Sequence, residues 1–161
     1  MALNNIVKSI RNIMRNDAGI NGDAQRIEQI AWMLFLKVYD EKENDWEFNE
    51  DNYVSFIPEE CRWRNWAKDN GDGEALTGDN LLKYVNDTIF PTLKALEVTP
   101  STPMRSAIVR TTFQDANQYM KDGVLLRQVI NVIDQLDLGD YEESHAFGDI
   151  YESILKEMQS A

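Results

Sequence analysis

A helical repeat of apolar side chains runs along nearly the whole chain and predicts an all-α fold, one compact domain of about six to eight helices over residues 1–161. Two further observations agree with it. Clusters of turn-forming residues at 17–22, 69–73 and 99–103 break the repeat into helix-sized pieces. Apolar residues make up 43% of the 161, enough for a real core in one domain. The one candidate for a short β segment is 52–57.

In chain order, Asn4 or Asn5 is placed to cap a first helix striped by Ile6, Ile10, Ile13 and Met14. Asp23 is placed to cap a second helix reaching about Tyr39, with Ile27, Ile30, Ala31, Leu34 and Val38 inward and Trp32 and Phe35 widening the stripe. This helix is expected at the centre of the core. The stretch 41–57 is acidic and aromatic and is expected to be mostly loop. Pro58, whose missing N–H suits a first helical turn, opens a short helix over 58–68. Thr77 or Asp79 caps the next, 80–90, and Pro91 ends or kinks it. After the 99–103 loop a helix runs to about Arg110. Lys121-Asp122-Gly123 then starts one whose pattern is Val124, Leu125, Gln128, Val129, Val132, Ile133 and Leu136, and a last helix spans about 146–158.

The charge balance narrows the function. A formal net charge of −12 argues against a free-standing, non-specific nucleic-acid binder, which needs a basic surface to neutralise phosphates. The charge is uneven, however. Residues 1–37 carry five Lys/Arg against three acids, whereas 40–51 carry seven acids against Lys42 alone. From Asp134 onward there are eight acids against Lys156. A basic surface on an acidic body is therefore expected. No apolar run approaches the ~20 residues of a membrane helix. The N-terminus lacks the pattern of a secretory signal, and one cysteine, Cys61, permits no intrachain disulfide. A cytoplasmic protein is the expectation.

Most chemistries lack their residues. Cys61 and His145 are the sole Cys and His, so a Cys/His-rich zinc site is excluded. No G-x-S-x-G elbow accompanies His145, which leaves a small hydrolase without a nucleophile. The acids starting at Asp45 and at Asp69 fail the calcium-loop spacing, and Asp134, Asp137 and Asp140 read as a helix end and turn. Gly71-Asp72-Gly73 is a lone G-x-G among acids that repel phosphate. The sequence thus predicts no catalytic, metal-binding or cofactor-binding residue. Two cation-bearing stretches remain as candidate DNA or subunit contacts. Lys8, Arg11 and Arg15 share a helical face by their spacing, a pattern that also fits, and more often marks, a plainly solvated face. Arg62, Trp63, Arg64, Trp66 and Lys68 interleave aromatics with cations, a pattern that stacks on bases or anchors an interface, and that also fits core tryptophans with solvated cationic neighbours.

Three strings carry a resemblance. The first runs Asp23-Ala24-Gln25-Arg26-Ile27-Glu28-Gln29-Ile30-Ala31-Trp32-Met33-Leu34-Phe35-Leu36-Lys37-Val38-Tyr39-Asp40, and the second Ile57-Pro58-Glu59-Glu60-Cys61-Arg62-Trp63. The third is Ala146-Phe147-Gly148-Asp149-Ile150-Tyr151-Glu152-Ser153-Ile154-Leu155. In this order they resemble the N-terminal helical domain of the modification (M, HsdM) subunit of type I restriction–modification DNA methyltransferases. The resemblance implies a parent enzyme that methylates adenine N6 in double-stranded DNA with S-adenosylmethionine. It also implies as partners the methylase domain of the same subunit, a specificity subunit, a second modification subunit and a restriction subunit. The family's glycine-rich donor motif and Asn-Pro-Pro-aromatic motif are not found in these residues. Pro58, Pro91, Pro100 and Pro103 are never adjacent. The methylase domain is therefore expected to lie outside this chain, and the chain alone to be inactive. Its own expected role is assembly and clamping on DNA. The competing expectation is a stand-alone acidic adaptor or DNA mimic.

Overall fold

The computed structural model describes residues 3–136. Seven α-helices appear among them: α1 (Leu3–Met14), α2 (Gly22–Asn49), α3 (Trp63–Trp66), α4 (Gly78–Tyr84), α5 (Phe90–Lys94), α6 (Met104–Gln114) and α7 (Gly123–Asp134). A 3-10 turn, Glu59–Cys61, precedes α3, and a π turn, Val85–Ile89, joins α4 to α5. No strand occurs among the described residues. The final helix expected over 146–158, and the third family string with it, lie outside them.

α2 is the axis of the domain. Every residue from Trp32 to Asp40 is buried, so this stretch is surrounded rather than half-covered. Around Trp32 the aromatic rings interlock. Phe90 meets it edge-on at 5.0 Å between centroids, Phe113 at 6.3 Å, and Trp66 stacks at 6.5 Å. α7 packs against α1, α4 and α2, while α5 packs on α6.

Four expectations are corrected. First, α2 continues ten residues past Tyr39 to Asn49. Acidic residues at a helix C-terminus oppose the macrodipole, so the sequence stretch alone discourages helix. Arginines from later in the chain neutralise it, as described below. Second, 52–57 is not a strand. No partner strand occurs among the described residues, Asn52 takes a positive φ of 61°, and the Ile57 N–H donates locally to Ser55 Oγ at 3.1 Å. Third, the helix expected over 58–68 is split, because Arg62 is extended (φ −68°, ψ 131°) as its side chain reaches back to α2. Fourth, of the two outcomes expected at Pro91, an end or a kink, the helix does not end there. The π turn lies over the carbonyls that an interior proline ring would strike, and the widened turn lets α5 continue to Lys94.

The rotation of α7 also differs from the expected stripe. Leu126, Val129, Ile130 and Ile133 are buried, whereas Val124 and Gln128 are exposed. A close approach sets this rotation: a Cβ on Gly123 would stand 1.8 Å from the Gly78 carbonyl oxygen. The Asp122 carboxylate caps the helix, accepting from the N–H groups of Val124 and Leu125 at 2.9 and 3.1 Å.

Buried polar groups tie distant segments together. Asp17 accepts from the backbone N–H groups of Gly19, Lys121 and Asp122 at 2.7–3.1 Å. Gln29 is fully buried, donates to Gln118 Oε1 and accepts from the Tyr119 N–H. Arg127 bridges the two ends of the 68–75 loop, donating to the carbonyls of Ala67 and Leu76 at 2.6 Å each and to Asn131 Oδ1 at 3.1 Å. Burial pulls its pKa below the usual arginine value, with the Asp69 and Asp134 charges opposing.

Candidate functional site

The tryptophan–arginine stretch folds inward. Trp63 and Trp66 are buried and meet edge-on at 5.6 Å. The Trp63 indole N–H donates to Asp134 Oδ1 at 2.8 Å, an oxygen that also accepts from Lys37 Nζ at 3.3 Å. The Trp66 indole N–H donates to the Cys61 carbonyl at 3.0 Å. Neither ring is presented for stacking on a base. Cys61 itself is an inert thiol, pushed up to about 11 by burial and by the nearby Glu60 charge.

The arginines on either side of Trp63 are spoken for as well. Arg62 pairs with Glu47, with Glu59 at 3.2 Å and with the buried Glu43 at 3.6 Å. Arg64 Nε donates to Asp40 Oδ1 at 2.8 Å, and its Nη1 reaches both Glu47 oxygens at 3.1–3.2 Å. Burial opposes the charge on Arg62, yet the Glu47 hydrogen bond and the Glu43 carboxylate leave its pKa raised. The reciprocal effect is seen at Glu47, whose carboxyl is lowered first by the Arg62 hydrogen bond and then by Arg64. This network is what lets α2 keep its acidic end helical. It also consumes carboxylates that a DNA mimic would array outward: Asp40, Glu43 and Glu47 face arginines. Of the five candidate residues in this stretch, Lys68 alone is exposed.

On α1 the order is different. Lys8 and Arg15 are exposed and Arg11 is half-buried, while Ile6, Ile10 and Met14 are buried on the opposite side. The structure therefore separates the candidates: Lys8 on α1 and Arg15 just past its end lie at the surface, and Arg62, Trp63, Arg64 and Trp66 form an internal staple.

A second arginine cluster was not anticipated from sequence. Arg105, at the start of α6, grips Glu50 with two hydrogen bonds of 2.5 and 2.7 Å. Its guanidinium lies over the rings of Trp46 at 4.6 Å and Tyr53 at 5.4 Å. Partners 55 residues apart leave no local signal for such a pair. Surface clefts of about 210 and 290 Å³ flank the 69–76 loop and are lined largely by polar and acidic side chains. No cluster of three metal-ligating side chains occurs among the described residues.

Comparison with known proteins adds to this geometry. The HsdM N-terminal domain family matches residues 3–133. The chain belongs to that family. Over all 161 residues this HsdM N-terminal domain is 47% identical to the type I restriction enzyme EcoEI methylase subunit of Escherichia coli. It spans 32% of that protein's length, about a third. Among solved structures, a modification subunit of a putative type I restriction enzyme from Vibrio vulnificus YJ016 superposes with a TM-score of 0.81 at 31% identity. The match covers 98% of this chain and 35% of that one. A chain from a structure concerned with complex assembly and conformational transition of the type I R-M system gives a TM-score of 0.74 at 29% identity, covering 96% and 30% of the two chains. The all-α fold and the type I modification-subunit family are thus as the sequence strings implied. No helix among the described residues is long and apolar enough to cross a membrane.

Proposed function

We propose that this domain is the assembly and DNA-closing part of a type I adenine-N6 DNA methyltransferase subunit, making subunit contacts chiefly and backbone contacts to DNA through α1. The observation that carries the reading is the separation of the cations. Arg62 and Arg64 are committed to α2 carboxylates, whereas Lys8 on α1 and Arg15 just past its last residue stand exposed, on a helix whose other side is anchored in the core. Cations on a rigid helix can hold phosphates in register without reading bases. Extracting an adenine from the stack needs the duplex held while the base leaves. Support for a multisubunit setting comes from the type I relatives, one of them solved in a study of complex assembly.

S-adenosylmethionine, the donor implied by the family, does not fit the described residues. The family's donor loop follows a strand, and no strand occurs here. In the 69–73 loop the carboxylates already occupy backbone donors, Asp69 with the Gly71 N–H at 2.8 Å and Asp72 with the Glu74 N–H at 2.9 Å. No step of methyl transfer is assigned to this chain. The methylase domain of the same subunit, a specificity subunit, a second modification subunit and a restriction subunit are the proposed partners. The test is charge reversal at Lys8, Arg11 and Arg15 in the full-length subunit assembled with its specificity subunit. Weaker DNA binding with a shallower salt dependence is expected. Unchanged affinity would remove the DNA contact from the proposal.

A further inference from the structure

We propose that the end of the molecule gripped by Arg105 and Glu50 is a docking surface for a protein segment bearing an apolar ridge flanked by lysine or arginine. This deepens the assembly role proposed above and rests on it. Among the described residues the exposed large apolar side chains are Phe48 (90% exposed), Val54 (84%), Met104 (84%), Ile108 (44%) and Val124 (52%). All but Val124 fall on the three segments that this grip ties together: the last turns of α2, the 50–57 loop and the first turns of α6. Met104 and Ile108, four residues apart, share one face of α6.

The surface is built before any partner arrives. Arg105 is held by both Glu50 oxygens, lies over Trp46 and Tyr53, and its carbonyl accepts from the Tyr39 hydroxyl at 2.9 Å. The Tyr53 hydroxyl is fixed on Glu43 at 2.7 Å. Side chains already ordered lose little entropy on binding, and arginine with aromatic anchors is the composition that concentrates interface energy. Charge then selects the occupant. Of the seven acids in residues 43–60, Glu43, Glu47, Glu50 and Glu59 face arginines of the same molecule, while Asp45 and Asp51, exposed on the segments that carry the apolar groups, leave an acidic collar. Such a collar repels a phosphate backbone and favours a basic rim on a protein.

The test uses the full-length modification subunit with its specificity subunit and a DNA duplex. A photo-crosslinking residue is placed at Met104, at Phe48 and, as control, at Val124. The expected result is crosslinks from positions 104 and 48 to protein segments where aliphatic residues neighbour Lys or Arg, well above the Val124 level. Met104→Asp with Ile108→Asp is expected to weaken assembly about tenfold or more with helical content unchanged, and Asp45→Lys with Asp51→Lys to weaken it and flatten its salt dependence. Crosslinks to DNA, to the same surface of a second copy, or no more than at Val124 would overturn the inference. Deleting residues 1–136 separates the two ideas. Intact assembly after deletion defeats the assembly role itself, whereas assembly lost on deletion but unaffected by the Asp pair defeats this surface alone.

Discussion

Two short stretches of this chain are equally basic in sequence and end in opposite places. Lys8 and Arg11 ride on α1, whose buried side chains are aliphatic, and Arg15 follows its last residue. Arg62 and Arg64 alternate with Trp63 and Trp66, and the tryptophans drag their neighbours down onto α2, where acids wait. A cation's availability is decided by what sits beside it in the chain and by which charges the fold brings opposite. Counting cations cannot tell the two apart.

The contrast is broken most severely at Arg62. Arg62→Ala leaves Glu43, 1% exposed, without its compensating charge, and a loss of about 3–5 kcal/mol is expected in denaturant titrations followed by tryptophan fluorescence. Trp63→Ala belongs in the same range, about 3–5 kcal/mol, because it empties core volume and removes one of the two donors on Asp134 Oδ1, leaving Lys37. A smaller effect is expected for Gly123→Ala. The new methyl must push α7 away from the Gly78 carbonyl, and overpacking of this kind costs about 1–3 kcal/mol. Thermal melts of the variant would show it, and a melting temperature equal to the parent's would mean that α7 is not seated as described.

A pH titration sharpens the comparison further. Glu47 has a carboxyl held below its ordinary value of 4.5 by Arg62 and Arg64. Its contribution is therefore complete above that ordinary value and is lost as pH falls through the lower, folded-state value. Below about pH 4.5 the parent should lose stability more steeply than an Arg62→Ala/Arg64→Ala variant measured over the same range. Parallel pH profiles would show that the Glu47 network is not formed. The smallest stability effect is expected on the other stretch. Lys8→Glu with Arg15→Glu, both at exposed positions, should shift stability by no more than about 0.5 kcal/mol. If that pair destabilised the domain as Arg62→Ala does, the division into an internal and an external basic stretch would collapse.

Much of the architecture was legible in the residues themselves. The apolar period announced helices, α2 was recognisable as the central one from 30–36, and Asp122-Gly123 marked the start of α7. These are local signals, set by turn chemistry and by the spacing of side chains along one helix. The family strings at 23–40 and 57–63 fall in the described core, and the third lies beyond it. Legibility failed where a local preference was answered from far away. The acidic end of α2 looked like loop because its counter-charges, Arg62, Arg64 and Arg105, arrive from elsewhere in the chain. Pro91 left an end or a kink open because a π turn upstream leaves no mark in residue type.

By itself, then, the sequence determined an all-α chain with its long central helix, and the family to which the domain belongs. Tertiary structure alone decided which of the two basic stretches faces outward, since ion pairing and burial depend on distance in space. It also decided the rotation of α7, because both apolar stripes of that helix satisfy the period and a glycine-to-carbonyl contact chooses between them.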